Sequence, residues 1–267
     1  MKKFGLQLYS IRTAFETEEG TRQAFFDIKK MGYSYGQTAG EYPGISPEKF
    51  AQYAKDAGIE LCGTHYDWGK IRSDIEGTVA YHRTLGNTNI GVGSMPRDAI
   101  QSKEAMLKFI DEFNSLAVEY AKYGMKLTYH NHSFEFVKYD DGKTMFDYLV
   151  ERLDPVNTSF VLDTYWVQHG GADIRATIER LAGRIDILHI KDMEACHVYN
   201  LEDGSILKAP MFGCVGDGNI DFKSIIPLAE RCGVKYFVVE DDRCRPDSYM
   251  ADTKRSAEYI INNLIEK

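Results

Sequence analysis

Histidine, aspartate and glutamate residues follow several short runs of strand-forming residues in this sequence. The run KLTYHNH (126–132) ends in two histidines, His130 and His132, and side-chain alternation along a strand places both on one face. Three later runs end in similar residues: Asp163, then His189, Lys191 and Asp192, then Glu240, Asp241 and Asp242. Imidazole nitrogens and carboxylate oxygens are ligands for Mn²⁺, Fe²⁺, Co²⁺ and Zn²⁺. If these run ends converge, the sequence predicts a divalent metal site.

Each of these residues taken alone has an ordinary structural interpretation. A histidine at a strand end commonly forms internal hydrogen bonds, and an aspartate there commonly caps the following helix. Asp192 and Asp241 could have only that role. The metal hypothesis therefore depends on the joint pattern at four run ends, and on a fold that brings those ends to one place.

The elements that would position these residues alternate along the whole chain. β-like runs lie at 4–10, 33–37, 59–66, 89–94, 126–132, 158–164, 184–192 and 234–241. Helix-like patterns separate them at 17–31, 46–57, 74–85, 103–123, 144–152, 173–182, 222–231 and 246–265. Eight strands alternating with eight helices predict a parallel (β/α)₈ barrel, with residues 1–267 as a single domain. A doubly wound open sheet is less favoured because the first turn has no Gly-x-Gly-x-x-Gly. In a barrel the strand ends and the loops after them form the active-site mouth.

Composition narrows the class of partner. The chain has 267 residues, 43% of them apolar, and a formal net charge of −8. Nucleic-acid and anionic membrane surfaces require a basic face, so neither is expected as a partner. The five scattered cysteines form no Cys-x-x-Cys pair, and neither a signal peptide nor a membrane-spanning run is present. We therefore expect a cytoplasmic protein with a small-molecule partner; a homo-oligomer is compatible with the sequence.

Several motifs together resemble a known family. They are QLYS (7–10), YHNHSFEF (129–136), VLDTYWV (161–167), LHIKDM (188–193), GDGNIDF (216–222) and VVEDD (238–242). Their order over nearly the whole chain is similar to that of the sugar phosphate isomerase/epimerase group of xylose isomerase-like TIM barrels, whose relatives include inosose dehydratase, ketose 3-epimerases and AP endonucleases. The resemblance implies one divalent ion, Mn²⁺, Mg²⁺, Co²⁺ or Zn²⁺. It implies four ligands for that ion: His130, Asp163, His189 and Glu240.

One position departs from the pattern of the epimerases in this group. Their fifth-strand ligand is a glutamate that pairs with the eighth-strand glutamate across the substrate, whereas this chain has His130 there. Glu135 lies in the loop that follows and could supply that ligand instead. The departure leaves open whether the protein uses two carboxylates, as an epimerase does, or a single base, as a dehydratase, lyase or one-base isomerase does.

The residue types indicate enolisation chemistry. A divalent ion that binds a ketone and its neighbouring hydroxyl acidifies the C–H bond between them and stabilises an enediolate. Glu240 is the expected base, and Lys191 and His65 are expected proton donors or electrophiles, although a snorkelling lysine and a buried structural histidine explain them equally well. The expected substrate contacts are Tyr9, Trp68, His132, Glu135, Tyr165 and Trp166. The glycine-rich GCVGDGN (213–219) could present N–H groups to a phosphate or hydroxyl but lacks the lysine of a P-loop.

We therefore expect a metal-dependent sugar isomerase or epimerase that acts on a keto-sugar, a cyclitol or a 3-keto-glycoside. A metal-dependent dehydratase or lyase of the inosose dehydratase type is the main alternative. A non-catalytic sugar-binding barrel is the second alternative. A DNA-repair endonuclease of the same superfamily is not favoured, because it would need a multi-metal cluster and a basic surface, whereas this chain has seven histidines and a net charge of −8.

Overall fold

Eight parallel strands form a nearly closed barrel. The structure is a computed structural model and describes residues 1–243 and 247–265. The barrel strands are β1 (Gly5–Gln7), β2 (Tyr35–Ala39), β3 (Glu60–His65), β4 (Asn89–Val92), β5 (Lys126–His130), β6 (Thr158–Asp163), β7 (Ile185–Ile190) and β10 (Tyr236–Val239). Their order around the barrel is β3-β2-β1-β10-β7-β6-β5-β4. The predicted (β/α)₈ barrel is confirmed; each strand overlaps its expected segment, and β2 continues past the predicted end at 37 to Ala39.

Helices connect successive strands on the outside of the barrel. They are α1 (Glu18–Lys30), α2 (Pro47–Ala57), α3 (Trp68–Ser73), α4 (Ile75–Leu85), α5 (Lys103–Ala121), α6 (Met145–Arg152), α7 (Thr164–His169), α8 (Ile174–Arg180), α9 (Phe222–Arg231) and α10 (Tyr249–Asn263). The sequence did not predict α3 and α7, because six residues are too few to show a helical period. Residue 246, the expected start of the last helix, lies outside the described residues.

The first strand is shorter than predicted. It ends at Gln7, and a 3₁₀ helix follows over Leu8–Phe15. The side-chain oxygen of Gln7 accepts a hydrogen bond from the backbone N–H of Tyr9 at 3.2 Å, which turns the chain out of the sheet. Tyr9 consequently lies at the mouth of the barrel and not within a strand.

A β-hairpin interrupts the last repeat and was absent from the prediction. The segment 184–192, expected to be one strand, ends its parallel pairing at Ile190, and β8 (Asp192–Asn200) then pairs antiparallel with β9 (Ile206–Gly213). The hairpin projects from the carboxyl end of β7, directly beside the predicted site. Its Phe212 packs against Tyr165, with the ring centroids 4.5 Å apart.

Two apolar layers hold the barrel together. The outer layer lies between strands and helices and contains residues such as Leu127, Leu162 and Leu188, all fully buried. A small inner cluster contains Cys62, Val161, Ile187 and Val238. The last three lie two residues before Asp163, His189 and Glu240, so strand alternation directs all of these side chains into the barrel. The polar site is therefore built directly on top of the inner apolar cluster.

The barrel is least regular between β3 and β4. The backbone N–H of Tyr66 donates to Gly91 O at 2.7 Å, and the side chain of Asn89 donates to Cys62 O at 2.9 Å. A Cβ atom on Gly91 would lie 1.9 Å from the backbone oxygen of Thr64. Only glycine therefore permits the close approach of these two strands.

His82 attaches α4 to the barrel. Its Nδ1 donates to Thr78 O at 2.7 Å, and its Nε2 lies 2.8 Å from the Thr64 hydroxyl. The ring is fully buried, and this burial lowers the pKa of His82 to about 4. The neutral imidazole is therefore the form that fits the folded protein.

None of the helices formed by the described residues is both long enough and apolar enough to cross a membrane. The cytoplasmic location, the single-domain organisation and the oligomeric state remain predictions.

We predict that acid destabilises the protein through His82. Because the pKa of His82 is lower in the folded chain than in the unfolded one, the unfolded chain binds the extra proton, and stability falls as pH drops from about 6.5 to 4. The full shift corresponds to roughly 3 kcal/mol. Urea unfolding of the wild type and of His82→Gln at several pH values should show a shallower acid slope in the variant. Parallel slopes would contradict this role.

We also predict that Gly91→Ala destabilises the barrel by about 3 kcal/mol or more, because the new methyl group would overlap backbone that cannot move independently. Gly36→Ala is the matched control, since a Cβ there would meet only side chains, the nearest being Leu61 at 3.3 Å. Melting temperatures measured by circular dichroism would test the comparison. An equal drop in melting temperature in the two variants would contradict the claim that the close β3–β4 contact requires glycine.

Candidate active site

Four buried side chains converge at the carboxyl ends of β5, β6, β7 and β10. One donor atom from each of His130, Asp163, His189 and Glu240 lies within 4.8 Å of the others. Asp163 Oδ2 is 3.5 Å from both His130 Nε2 and His189 Nδ1, and Glu240 Oε2 is 3.0 Å from His189 Nδ1. The structure thus brings together the four residues that the family resemblance implied as ligands.

Hydrogen bonds behind the cluster orient both imidazole rings. His130 Nδ1 lies 2.9 Å from the backbone oxygen of Gly93, and His189 Nε2 lies 2.6 Å from Gln37 Oε1. Because these oxygens accept, Nδ1 of His130 and Nε2 of His189 are the donors, and the other nitrogen of each ring, Nε2 of His130 and Nδ1 of His189, faces the cluster. A metal ion bound there would replace any proton on these two nitrogens. This arrangement is typical of metal-binding histidines in proteins.

Asp163 has two separate functions in the fold. Its Oδ1 accepts a hydrogen bond from the backbone N–H of Trp166 at 3.0 Å and so caps α7. Its own backbone N–H donates to Asn131 Oδ1 at 2.9 Å. Its Oδ2 is buried without a hydrogen-bond partner, as is Nε2 of His130. The helix-capping interpretation of this aspartate is therefore confirmed for Oδ1, while Oδ2 is left facing the cluster, where it could contact a cation.

The charges at the cluster fit a divalent cation. Two buried carboxylates, those of Asp163 and Glu240, and the half-buried carboxylate of Asp242 surround one buried ammonium, that of Lys191. Burial alone would lower the pKa of His189, but Glu240 and Asp163 raise it to about 9. The site thus attracts positive charge, and the two orphaned atoms provide nitrogen and oxygen donors for it. These residues fit Mn²⁺, Co²⁺ or Zn²⁺ better than Mg²⁺, because Mg²⁺ prefers oxygen ligands.

Lys191 is held firmly beside the cluster. Its Nζ lies 2.5 Å from Asp242 Oδ2, 3.1 Å from Glu240 Oε2 and 4.7 Å from the centre of the Phe212 ring. Burial would lower the pKa of Lys191, but Glu240 raises it, so the ammonium form persists. Burial and Glu240 raise the pKa of Asp242 to about 6. The role of Asp242 and the contribution of Phe212 could not be inferred from sequence, because both depend on the hairpin and on the β10 loop.

An open cavity of about 730 Å³ lies above the cluster. Its lining includes many of the residues expected from sequence: Tyr9, His65, Trp68, His130, His132, Lys191 and Glu240. Burial and neighbouring His130 lower the pKa of His65, and burial and the same neighbour lower that of His132 to about 3, so both rings are neutral. The cavity therefore presents uncharged imidazoles beside the charged cluster.

Three expected substrate contacts do not line this cavity. Tyr165 packs instead against Phe212 of the hairpin. Trp166 packs against His132, with ring centroids 5.2 Å apart, and lies beneath the cavity wall. Glu135 is fully buried, with Oε1 accepting from the Tyr129 hydroxyl at 2.7 Å and Oε2 accepting from the His132 backbone N–H at 2.8 Å. Both oxygens of Glu135 are engaged, so the fifth-strand donor that faces the cluster is His130.

The glycine-rich loop after the hairpin is also occupied by the protein itself. The Asp192 carboxylate accepts hydrogen bonds from the backbone N–H groups of Gly216, Gly218 and Ile220 at 2.9–3.2 Å. Asp192 therefore organises this loop and does not cap a helix. The N–H groups considered for phosphate binding already hold a carboxylate.

Sequence comparison identifies the family. Residues 25–262 match the family model described as xylose isomerase-like TIM barrel. The chain belongs to this family. The match spans every barrel strand from β2 to β10 and all four residues of the cluster, so the geometry described above lies within the shared barrel.

Individual proteins of this kind resemble the chain over most of its length. Inosose dehydratase of Lactiplantibacillus plantarum is 26% identical and is matched over 93% of this chain and 90% of its own length. Inosose dehydratase of Salmonella typhimurium is 27% identical and is matched over 93% of this chain and 91% of its own length. Among solved structures, a sugar phosphate isomerase/epimerase from Parabacteroides distasonis has a TM-score of 0.78 at 24% identity, with 100% of both chains covered. An L-ribulose 3-epimerase has a TM-score of 0.70 at 15% identity, with 99% of this chain and 95% of the epimerase chain covered. At these identities the structural likeness shows the fold.

We predict that Asp163→Asn abolishes tight metal binding and leaves the fold intact. Asparagine caps helices as well as aspartate does, so α7 keeps its cap while the cluster loses a charged oxygen. Chelator-stripped protein titrated with Mn²⁺ in a calorimeter should bind one ion in the wild type and at least a hundredfold more weakly in the variant. Far-UV dichroism should remain unchanged.

Asp173→Asn is the matched control for this experiment. Asp173 caps α8 by accepting from the Ala176 N–H at 2.7 Å and takes no part in the cluster. It should bind Mn²⁺ as the wild type does. Wild-type affinity in Asp163→Asn, or global unfolding in that variant alone, would contradict the metal assignment.

Proposed function

We propose that the protein is a divalent-metal-dependent sugar isomerase or epimerase that removes the proton beside the ketone of a keto-sugar, keto-cyclitol or 3-keto-glycoside. The supporting observation is the position of Glu240. Its carboxylate belongs to the four-residue cluster and also lines the cavity. A substrate in the cavity would therefore meet a carboxylate base at the point where the ion is held.

The cluster residues His130, Asp163, His189 and Glu240 would hold the ion. When bound, it would withdraw electron density from the substrate ketone and so make the adjacent C–H bond more acidic. Glu240 accepts that proton, because it is the cluster carboxylate that faces the cavity. The Lys191 ammonium, 3.1 Å from Glu240 Oε2, donates to the oxygen on which negative charge develops. His65 and His132, both uncharged, position hydroxyl groups.

The site favours a single carboxylate base over a pair. His130 occupies the fifth-strand position, and Glu135, the alternative, faces away from the cavity. An isomerase can work with one base, since the same carboxylate returns the proton to the neighbouring carbon. An epimerase that exchanges the proton between opposite faces would need a second group, and among the described residues an imidazole, that of His65 or His132, is the available candidate.

Dehydration is the second candidate reaction. It is favoured by the proximity of the base Glu240 and the acid Lys191 on the same side of the cavity. Glu240 would take the proton from the carbon beside the ketone. The electron pair of that C–H bond would form a double bond to the next carbon, and the hydroxyl group on that next carbon would leave as water with a proton from Lys191. The full-length similarity to proteins named inosose dehydratase also supports this alternative.

We predict that Glu240→Gln lowers exchange of the substrate proton with solvent by roughly 10²–10⁴-fold, the usual contribution of a general base. Protein loaded with Mn²⁺ would be incubated in D₂O with D-fructose, L-ribulose or an inosose, and deuterium at the carbon beside the ketone would be followed by NMR. The wild type should exchange it and the variant should not. A product that lacks one water molecule relative to the substrate would indicate dehydration, whereas a product of unchanged composition would indicate isomerisation.

Glu135→Gln serves as the comparison in the same assay. Because Glu135 does not line the cavity, this variant should retain exchange. Exchange that survives in Glu240→Gln and disappears in Glu135→Gln would assign the base to the loop glutamate. Metal binding without exchange of any probe in the wild type would favour the non-catalytic sugar-binding barrel.

A further inference from the structure

We infer that the cavity selects an uncharged polyhydroxylated substrate and rejects phosphate esters of the same sugar. The inference rests on the proposed function and specifies its substrate class. It is relevant because the structurally similar protein from Parabacteroides distasonis is named a sugar phosphate isomerase/epimerase. Three features of this chain support the inference. The charges around the cavity are mostly negative, its one described lysine is paired with carboxylates, and backbone N–H groups that could bind phosphate are hydrogen-bonded to carboxylates of the protein.

The charges around the cavity are predominantly negative. Glu240, Asp242 and Asp67 line the cavity, and Asp163 lies in the cluster beneath it. Lys191 is the one lysine or arginine side chain in the lining that the structure describes. Four carboxylates thus face one ammonium, and a bound divalent ion would still leave one negative charge in excess. A phosphate dianion would be repelled, whereas a neutral sugar would not.

The single cation in the lining is already neutralised. Lys191 Nζ lies within 3.6 Å of three carboxylates, those of Asp242, Glu240 and Asp163, and its side chain is 1% exposed. An ammonium has three N–H donors, so each donor has a carboxylate available. One hydroxyl or ketone oxygen of a substrate can share an N–H group with these carboxylates, but a phosphate dianion at Lys191 would have to displace carboxylates from their ion pairs inside a buried site, which is costly.

Three sets of backbone N–H groups around the described part of the mouth are likewise occupied. Phosphate sites in barrels of this type commonly use N–H groups of the loops after the last strands and of a helix N-terminus. Here Asp192 occupies the glycine-rich loop after the hairpin. Asp163 accepts a hydrogen bond from a backbone N–H in the first turn of α7, and Asp67 accepts one at 2.8 Å from a backbone N–H in the first turn of α3. The protein's own carboxylates fill these three positions.

Arg12 lies beside the described rim and is also engaged. It packs over the Tyr9 ring at 4.0 Å, donates to Tyr9 O at 2.9 Å and lies 3.4 Å from the backbone oxygen of Asp242. It supports the wall from outside, since it does not line the cavity. If a phosphate ester did bind, Arg12 would be the first residue to suspect.

The imidazole and aromatic side chains of the cavity suit the hydroxyl groups and the ring face of a sugar. Nε2 of His65 and Nδ1 of His132 are buried without a hydrogen-bond partner in the described structure. Neutral imidazoles can donate to or accept from a hydroxyl. Tyr9 and Trp68 add aromatic surface to the lining, on which the C–H face of a sugar can pack.

The test uses matched pairs of probes in the deuterium-exchange assay with Mn²⁺-loaded protein. The pairs are D-fructose with D-fructose 6-phosphate and L-ribulose with L-ribulose 5-phosphate. We expect kcat/KM for exchange to be at least tenfold higher for the neutral member of any pair that reacts. An equal or higher value for the phosphate ester would overturn the inference and leave the proposed function standing. Absence of exchange in all four probes and in an inosose would overturn the proposed function, and the inference with it.

Charge variants test the physical cause. Asp67→Asn keeps the cap of α3 but removes one rim charge, so it should raise kcat/KM for the phosphate ester about threefold relative to the neutral partner. Asp56→Asn is the control, because Asp56 lies in the last turn of α2, which ends at the opposite face of the barrel. Added salt should also narrow the discrimination. A ratio unaffected by both Asp67→Asn and salt would overturn the electrostatic explanation, and loss of phosphate-ester turnover in Arg12→Ala would reveal a phosphate site.

Discussion

An excess of buried negative charge at the carboxyl end of the barrel is the constraint on which the rest of the site depends. Buried carboxylates are tolerated only when they are paired, hydrogen-bonded or bound to a cation. Lys191 partly compensates Asp163, Glu240 and Asp242, and the excess raises the pKa of His189. The burial of a lysine beside the cluster and the attraction of the cluster for positive charge follow from this one imbalance.

The hairpin formed by β8 and β9 completes the site that the barrel begins. A bare barrel would leave Lys191 open to solvent at the end of β7. Phe212, from the second strand of the hairpin, places its ring 4.7 Å from the lysine nitrogen, and Trp166 from α7 places its ring 5.1 Å away. Aromatic faces attract an ammonium and exclude water from it. The insertion thus holds the lysine beside Glu240, the proposed base, at the lining of the cavity.

Carboxylates serve more than one purpose around the mouth. Asp163 caps a helix with one oxygen and faces the cluster with the other, and Asp192 gathers three N–H groups of the glycine-rich loop. These bonds fix the loops without a ligand, so the cavity has its shape before substrate arrives. They also occupy the places where a barrel of this family could hold an anion, which links the rigidity of the mouth to the proposed choice of a neutral substrate.

The sequence alone determined the barrel and the membership of the cluster. Alternation of strand and helix patterns is local, and parallel strands in a closed barrel end at one face, so His130, Asp163, His189 and Glu240 had to meet once the barrel closed. Tertiary structure decided the orientation of each side chain. Glu135 follows His130 closely in sequence yet turns away, because the Tyr129 hydroxyl and the His132 N–H bind both of its oxygens. Lys191 contacts Asp242, 51 positions further along the chain, and Phe212 in the hairpin inserted between them. Strand periodicity carries no information about such distant contacts, because it specifies the face of a residue and not its neighbours.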